Sequence, residues 1–322
     1  MKAGRQAWSG KILAVHPGAL GDVILFGWLM SNLPGEVTLV AKMPQAGLVE
    51  GLGMVEGVMD FDALPMHELF FIDDPPEQSS LDRLIGCYDG LISCLAGRED
   101  ASSRRLARMC GAGASAFLPI RPPEGYTGHL LEHWAEFFLD CDPPVITCPA
   151  RPVPPDWRKM GLERLSSAGV PVDGDLLVIH PGSGGGGKNW PLERFVGIAR
   201  RISDLKPGSY RPLFVVGPVE SDRWDPIVLE GLKAEFTVVV NPPVEDLAGM
   251  LSLAKGYIGN DSGVSHLAGV VGVPSVVLFG PTDPGHFAPL GPAVRAFRWA
   301  RFQASGDDLM AELLRLMEGQ GN

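Results

Sequence analysis

The segment richest in reactive groups is Pro181-Gly182-Ser183-Gly184-Gly185-Gly186-Gly187-Lys188-Asn189-Trp190-Pro191. Four consecutive glycines leave backbone N–H groups unshielded by side chains, a lysine follows them, and Pro191 can open the first turn of a helix. In form this is a cradle for phosphate. The spacing of Gly182 and Gly187-Lys188 approaches that of a P-loop, but Asn189 stands where that motif needs a hydroxyl for Mg²⁺, and Pro191 delays the helix. The plain alternative is a flexible surface loop.

A second constellation is Gly256-Tyr257-Ile258-Gly259-Asn260-Asp261-Ser262-Gly263-Val264-Ser265-His266. A strand that ends in Asn-Asp-Ser-Gly ahead of a helix aims first-turn N–H groups, and the positive end of the helix dipole, beyond the strand's carboxyl edge. Asp261 reads as a ligand contact or as a helix N-cap. His266, four positions after Ser262 and so on the same helical face, reads as a ligand contact or a buried structural histidine. The third constellation is Ala19-Leu20-Gly21-Asp22-Val23. Asp22 is either a helix cap or an ionised carboxylate placed to take a proton from a hydroxyl nucleophile.

Strands that end at these points must position them. Lys11–His16 and Leu176–His180 are both short apolar runs leading into His-Pro-Gly, which reads as a buried strand followed by a ligand-side loop in each half of the chain. Beyond residue 175 strands and helices alternate: strands at 176–180, 212–216, 236–239, 256–259 and 274–279, and helices at 191–204, 221–234, 244–254 and 262–271. That alternation argues for a parallel sheet covered on both faces. The amino half is less regular, with strands expected near 11–16, 36–41 and 88–94 and a helix near 128–139. Residues 141–157 hold six prolines and little periodicity and read as a linker. The expected organisation is α/β, with an amino-terminal domain over 1–150 and a carboxyl-terminal domain over 151–322. The last helix, 307–318, is placed to pack back on the amino-terminal domain.

Composition excludes several classes. The chain has 322 residues, 45% hydrophobic and 20% charged, with 41 Gly and 29 Pro, a globular balance that leaves no room for long uninterrupted helices. The net charge of −11 is concentrated in residues 1–150, which carry −9, and no basic cluster offers a nucleic-acid footprint. Five cysteines (Cys87, Cys94, Cys110, Cys141, Cys148) without a C-x-x-C pair read as reduced thiols of a cytoplasmic protein. The apolar stretch near the start is broken by His16, Pro17, Gly18 and Asp22, so neither a signal peptide nor a transmembrane segment is expected.

The three motifs in order, ILAVHPGALGDVIL, LVIHPGSGGGGKNWPLERF and IGNDSGVSHLAGVVGVPSVVLFGPTDP, resemble glycosyltransferase family 9, the ADP-heptose:lipopolysaccharide heptosyltransferases and their relatives. They bracket nearly the whole chain, while residues 35–150 add little. The resemblance implies a GT-B fold, two Rossmann-like domains with parallel sheets facing across a cleft. The donor sugar nucleotide would bind in the carboxyl-terminal domain and the acceptor in the amino-terminal one, with no metal and no separate cofactor.

Carried over by position, Asp22 falls on the catalytic base, with His16 and Gly21 on the acceptor side. Ser183 and Lys188 fall on the donor diphosphate, Asp261, Ser262, Gly263 and His266 around donor sugar and phosphates, and Glu220 on the ribose. The implied partners are a nucleotide sugar and a saccharide or glycolipid acceptor, with peripheral contact at the cytoplasmic face of the inner membrane and no nucleic acid. Two other readings stay open: a nucleotide-sugar-binding protein that has lost transfer, and a GT-B-like sugar-nucleotide epimerase.

A dinucleotide oxidoreductase should show G-x-G-x-x-G after its first strand, and residues 16–22 do not. The chain departs from the family at His16, where Arg or Lys is frequent, and at Phe26-Gly27-Trp28, where Thr-x-Pro is common. Phosphorylated saccharide acceptors would favour a basic groove. The acidic amino half has only local candidates such as Arg104, Arg105 and Arg108, which leaves room for a less anionic acceptor.

Overall fold

The computed structural model describes residues 8–70, 79–95, 99–137, 146–171, 174–205, 209–302 and 307–319. The chain divides into two compact units, Met1–Thr147 and Cys148–Asn322.

The amino-terminal unit holds five strands, β1 (Lys11–Val15), β2 (Glu36–Ala41), β3 (Gly57–Asp60), β4 (Gly90–Ser93) and β5 (Ala114–Phe117), in the order β3-β2-β1-β4-β5. The carboxyl-terminal unit holds six: β6 (Asp175–His180), β7 (Tyr210–Val216), β8 (Thr237–Val240), β9 (Gly256–Asn260), β10 (Ser275–Phe279) and β11 (Val294–Arg298), in the order β11-β10-β9-β6-β7-β8. Every pairing is parallel. Each unit thus has the strand order of a Rossmann sheet, which reverses direction between β1 and β4 in the first and between β6 and β9 in the second. Central strands such as β9 and β10 are buried along their whole length, as continuous apolar runs in a parallel sheet covered on both faces should be.

Several element boundaries differ from those expected. The segment 221–234 is not one helix but two, Pro218–Arg223 and Pro226–Glu235. Pro226 cannot continue a helix from before it, and Asp225 caps the new one by accepting from the Ile227 N–H. The proline-rich stretch 141–157 is not all linker, since a helix starts at Pro155 and runs to Ser167. Proline is well suited to a first helical turn. Cys141 and residues 138 and 139 of the expected helix 128–139 lie outside the described residues, and the helix that is described spans Leu130–Ala135.

The final helix, Asp307–Met317, buries Leu309, Leu313, Leu316 and Met317 in the core of the carboxyl-terminal unit with Ile258 and Leu278. The four described cysteines are free thiols, with Cys94 and Cys110 buried.

The helix before β9, Val244–Ser252, packs directly on Pro155–Ser167. At their closest approach a Cβ on Gly249 would stand 2.0 Å from the Trp157 carbonyl oxygen, and one on Gly161 2.4 Å from the Gly249 backbone. An Arg164–Asp246 pair at 2.7 Å ties the same two helices. Gly249→Ala should therefore force the helices apart and cost about 1–3 kcal/mol. Gly197→Ala, in the helix Leu192–Leu205 where a Cβ would meet nothing within 4 Å among the described residues, should instead stabilise by up to about 1 kcal/mol. Urea unfolding of the two variants checks both signs.

Candidate functional site

In the carboxyl-terminal unit the loop after β6 and the helix start after β9 lie side by side, because β6 and β9 are neighbours at the point where strand order reverses. His180 ends β6 fully inside. Its Nδ1 lies 2.9 Å from the Val215 carbonyl, which can only accept, so that nitrogen carries the proton, and burial pushes the ring's pKa down.

Glu220 is buried too. Its Oε1 accepts from the Ser183 N–H at 3.0 Å and its Oε2 from the Gly217 N–H at 3.1 Å, joining the glycine loop to the turn after β7. A Cβ on Gly182 would sit 2.0 Å from the Glu220 Cδ, so only glycine lets that carboxylate in. The Ser183 hydroxyl lies 2.6 Å from Asn189 Oδ1 and folds the loop on itself.

The remaining glycines are a different matter. A Cβ at Gly184, Gly185 or Gly187 would meet nothing within 4 Å among the described residues, and none of the three has a positive φ. Packing does not require them to be glycine.

Lys188 closes the loop in a single 3₁₀ turn, Gly186–Lys188. Its Nζ donates to Asp261 Oδ2 at 2.8 Å, and Thr282 Oγ1 donates to the same oxygen at 2.6 Å. The Lys188 side chain keeps 37% of its surface exposed against 8% for Asp261, so the ammonium remains reachable while its counter-charge is sheltered.

Asp261 is not the helix cap. Ser262 is, its hydroxyl accepting from the Ser265 N–H, and Gly263 opens the helix Gly263–Val271. Ser265 in turn meets the Tyr257 hydroxyl at 2.8 Å and donates to the Asn260 carbonyl at 2.6 Å. His266 is buried in the first turns of this helix. The structure thus brings Ser183, Lys188, Glu220, Asp261, Ser262, Gly263 and His266 to one edge of one sheet. Thr282 was not anticipated. Its signal was the turn Gly280-Pro281-Thr282-Asp283-Pro284 directly after β10, at the same edge.

In the amino-terminal unit Asp22 lies half-buried in the first turn of the helix Leu20–Met30, where a carboxylate is favoured by the dipole. The N-cap is Ala19, without a side-chain hydrogen bond, so Asp22 is not the cap. Its charge reaches Cys94 at the end of β4, and burial and that charge together hold the thiol well above its ordinary pKa.

His16 is 2% exposed. Its Nδ1 accepts from the Gly18 N–H at 3.1 Å, and its ring packs against Phe26 and Trp134 at centroid distances of 5.1 and 5.9 Å. The position expected on the acceptor side is occupied by a buried ring that shapes the loop before Gly21 and Asp22. Nor do the arginines of the helix Ala101–Met109 form one basic face. Arg105 is buried and donates to the Leu69 carbonyl at 2.8 Å, while exposed Arg104 pairs with Glu99.

Residues 156–308 match the model of a family described as glycosyltransferase family 9 (heptosyltransferase). Among solved structures, the family 9 glycosyl transferase from Veillonella parvula DSM 2008 aligns with a TM-score of 0.72 at 19% identity, covering 96% of this chain and 97% of that one. ADP-heptose lps heptosyltransferase II from E. coli aligns with a TM-score of 0.70 at 16% identity, covering 97% of this chain and 100% of that one. E. coli heptosyltransferase WaaC with ADP gives 0.60 at 21% identity, with 89% and 93% covered. No curated protein matches the sequence. Fold and matched segment together define a glycosyltransferase of the GT-B class. The matched segment lies within its carboxyl-terminal unit. Among the described residues no helix is long and apolar enough to cross a membrane.

Two outcomes follow from this geometry. Gly182→Ala should displace Glu220, break two charge-assisted hydrogen bonds and cost about 3 kcal/mol. Gly185→Ala, where a Cβ would meet nothing among the described residues, should leave stability within about 0.5 kcal/mol. Chemical denaturation reads the pair.

For His16, burial lowers the pKa from 6.5 to about 4. Between those values the unfolded chain binds the proton and the folded one does not. The stabilisation, about 3 kcal/mol, is therefore complete above pH 6.5 and lost as pH falls towards 4. His16→Asn should flatten this part of the stability–pH curve relative to the parent protein.

Proposed function

We propose that the protein transfers a heptose-type sugar from a nucleoside-diphosphate donor, ADP-heptose, to a saccharide hydroxyl, with inversion and without a metal ion. The observation that carries this reading is the reachable Lys188 ammonium, held by Asp261 beside glycines that no internal packing demands. In the displacement the acceptor oxygen bonds to the anomeric carbon, the bond from that carbon to the diphosphate oxygen breaks, and negative charge grows on the departing diphosphate. Fixed positive potential at those oxygens lowers the barrier most, because it needs no reorganisation when the charge appears.

Lys188, N–H groups of the glycine loop and the helix end at Ser262–Gly263 would supply it. Asp261, relieved of Lys188 when the diphosphate binds, would accept from donor-sugar hydroxyls. The Glu220 carboxylate already takes two backbone N–H groups, and its remaining lone pairs would serve the ribose. Ser183 and His266 would line the same donor site.

On the acceptor side, Asp22 would receive the hydroxyl proton as the oxygen attacks. Gly21 and the His16-shaped loop would set its position. The family 9 match and the heptosyltransferase neighbours, one of them bound to ADP, support the donor. The same neighbours support a saccharide or glycolipid acceptor of the lipopolysaccharide core or a related surface glycan. Such an acceptor would bring a cytoplasmic enzyme to the inner face of the inner membrane.

Asp22→Asn should bind ADP with unchanged affinity in calorimetry while transfer from ADP-heptose to acceptor, followed by ADP release, falls at least 10²-fold. Retention of the parental rate would remove Asp22 from the general-base role. If the parent protein binds no ADP but does bind UDP or GDP, the donor base is reassigned.

A further inference from the structure

The glycine loop leaves the core at Pro181 and re-enters it at Trp190, whose ring is buried edge-on against Phe195 at 5.1 Å. Eight residues lie between, four of them consecutive glycines. A chain so composed has many ways to close and a large entropy to lose in choosing one. Its two ends also present buried backbone groups that no strand pairs, the Pro181 carbonyl and the Trp190 N–H.

One side chain meets both. Asn260, the last residue of β9 and fully buried, donates from Nδ2 to the Pro181 carbonyl at 2.7 Å and accepts on Oδ1 from the Trp190 N–H at 3.0 Å. The amide fits in a single orientation, because a carbonyl can only accept and an N–H can only donate. The next residue, Asp261, holds Lys188 two positions before Trp190.

We infer that Asn260 is a positioning residue: its carboxamide sets the distance between the two ends of the 182–189 loop and thereby places Lys188 for the leaving diphosphate. The inference rests on the donor-site reading above but names a residue that touches no substrate. Three features support it. The contact is at the base of the loop, where a small shift is carried through to Lys188. It lies at the reversal of strand order, where β6 and β9 are adjacent. It also uses both functions of the amide, which neither Asp nor Ser can reproduce.

The test uses the full-length protein. In the parent, hydrogen exchange resolved to single residues should find the Trp190 amide protected at least 10²-fold more strongly than the Gly184 and Gly185 amides. Equal exchange at all three would overturn the clamp without any variant. Asn260→Leu, which keeps the volume and adds no charge, and Asn260→Ser should both speed exchange in 182–190 while β10 stays protected.

ADP affinity then separates positioning from general damage in a double-mutant cycle. Either substitution should weaken ADP tenfold or more when Lys188 is present, and less than twofold in a Lys188→Ala background. Equal losses in the two backgrounds, or a loosened loop with parental ADP affinity, would overturn the inference and leave the glycosyltransferase reading intact. A parent protein that binds no nucleotide but protects Trp190 would instead count against the donor-site reading and keep the clamp.

Discussion

In an all-parallel sheet each connection must travel from the carboxyl end of one strand back to the amino end of the next, and right-handed crossovers allow one face on each side of the starting strand. Strand order reverses at β6 and β9, and open α/β sheets bind ligands outside the carboxyl ends of the strands at such a point. Backbone N–H groups there have no strand to bond. Either side chains must satisfy them or a ligand must. In this protein Glu220 and Asn260 take the groups at the base of the glycine loop, and beyond them a Cβ at Gly184, Gly185 or Gly187 would meet nothing among the described residues.

That division explains the placement of charge. A buried carboxylate is costly unless hydrogen-bonded. Glu220 meets the requirement with two backbone N–H groups, Asp261 with a lysine and a threonine. The first arrangement shapes the loop. The second is half-open, because its lysine is partly in solvent and can exchange one anion for another. On the donor-site reading proposed above, a diphosphate would be held and released through this second kind, in which affinity is a difference between two paired states rather than the satisfaction of an unpaired charge.

Legibility followed the depth of each element in its sheet. The interior strands and the helices between them stand out in the sequence, since burial on both faces demands an unbroken apolar run. Three strands escaped notice, β3, β5 and β11, and all three are edge strands. Their sequences, GVMD, ASAF and VRAFR, are short and mostly half-exposed, so only the neighbour they pair with makes them strands. The site was legible in the same uneven way. Lys188 and Asp261 stood out by type and by position after a strand, but that Asp261 partners Lys188 while Ser262 caps the helix depends on a contact across 73 residues. The partners of Thr282 and of the Asn260 amide lie 21 and 70 to 79 residues away, which no local pattern encodes.

The two His-Pro-Gly turns draw the line most clearly. From sequence alone each marks a buried strand running into a loop at the carboxyl edge of a Rossmann-like sheet, and both do so. Local composition suffices for that, because a short apolar run halted by Pro-Gly has few other ways to fold. Tertiary structure decided what the histidines do. His180 donates through Nδ1 to the Val215 carbonyl, whereas His16 accepts through Nδ1 from the Gly18 N–H among aromatic rings. A tautomer is set by the partner that the neighbouring strand or loop supplies, and that partner is known only once the sheet has assembled.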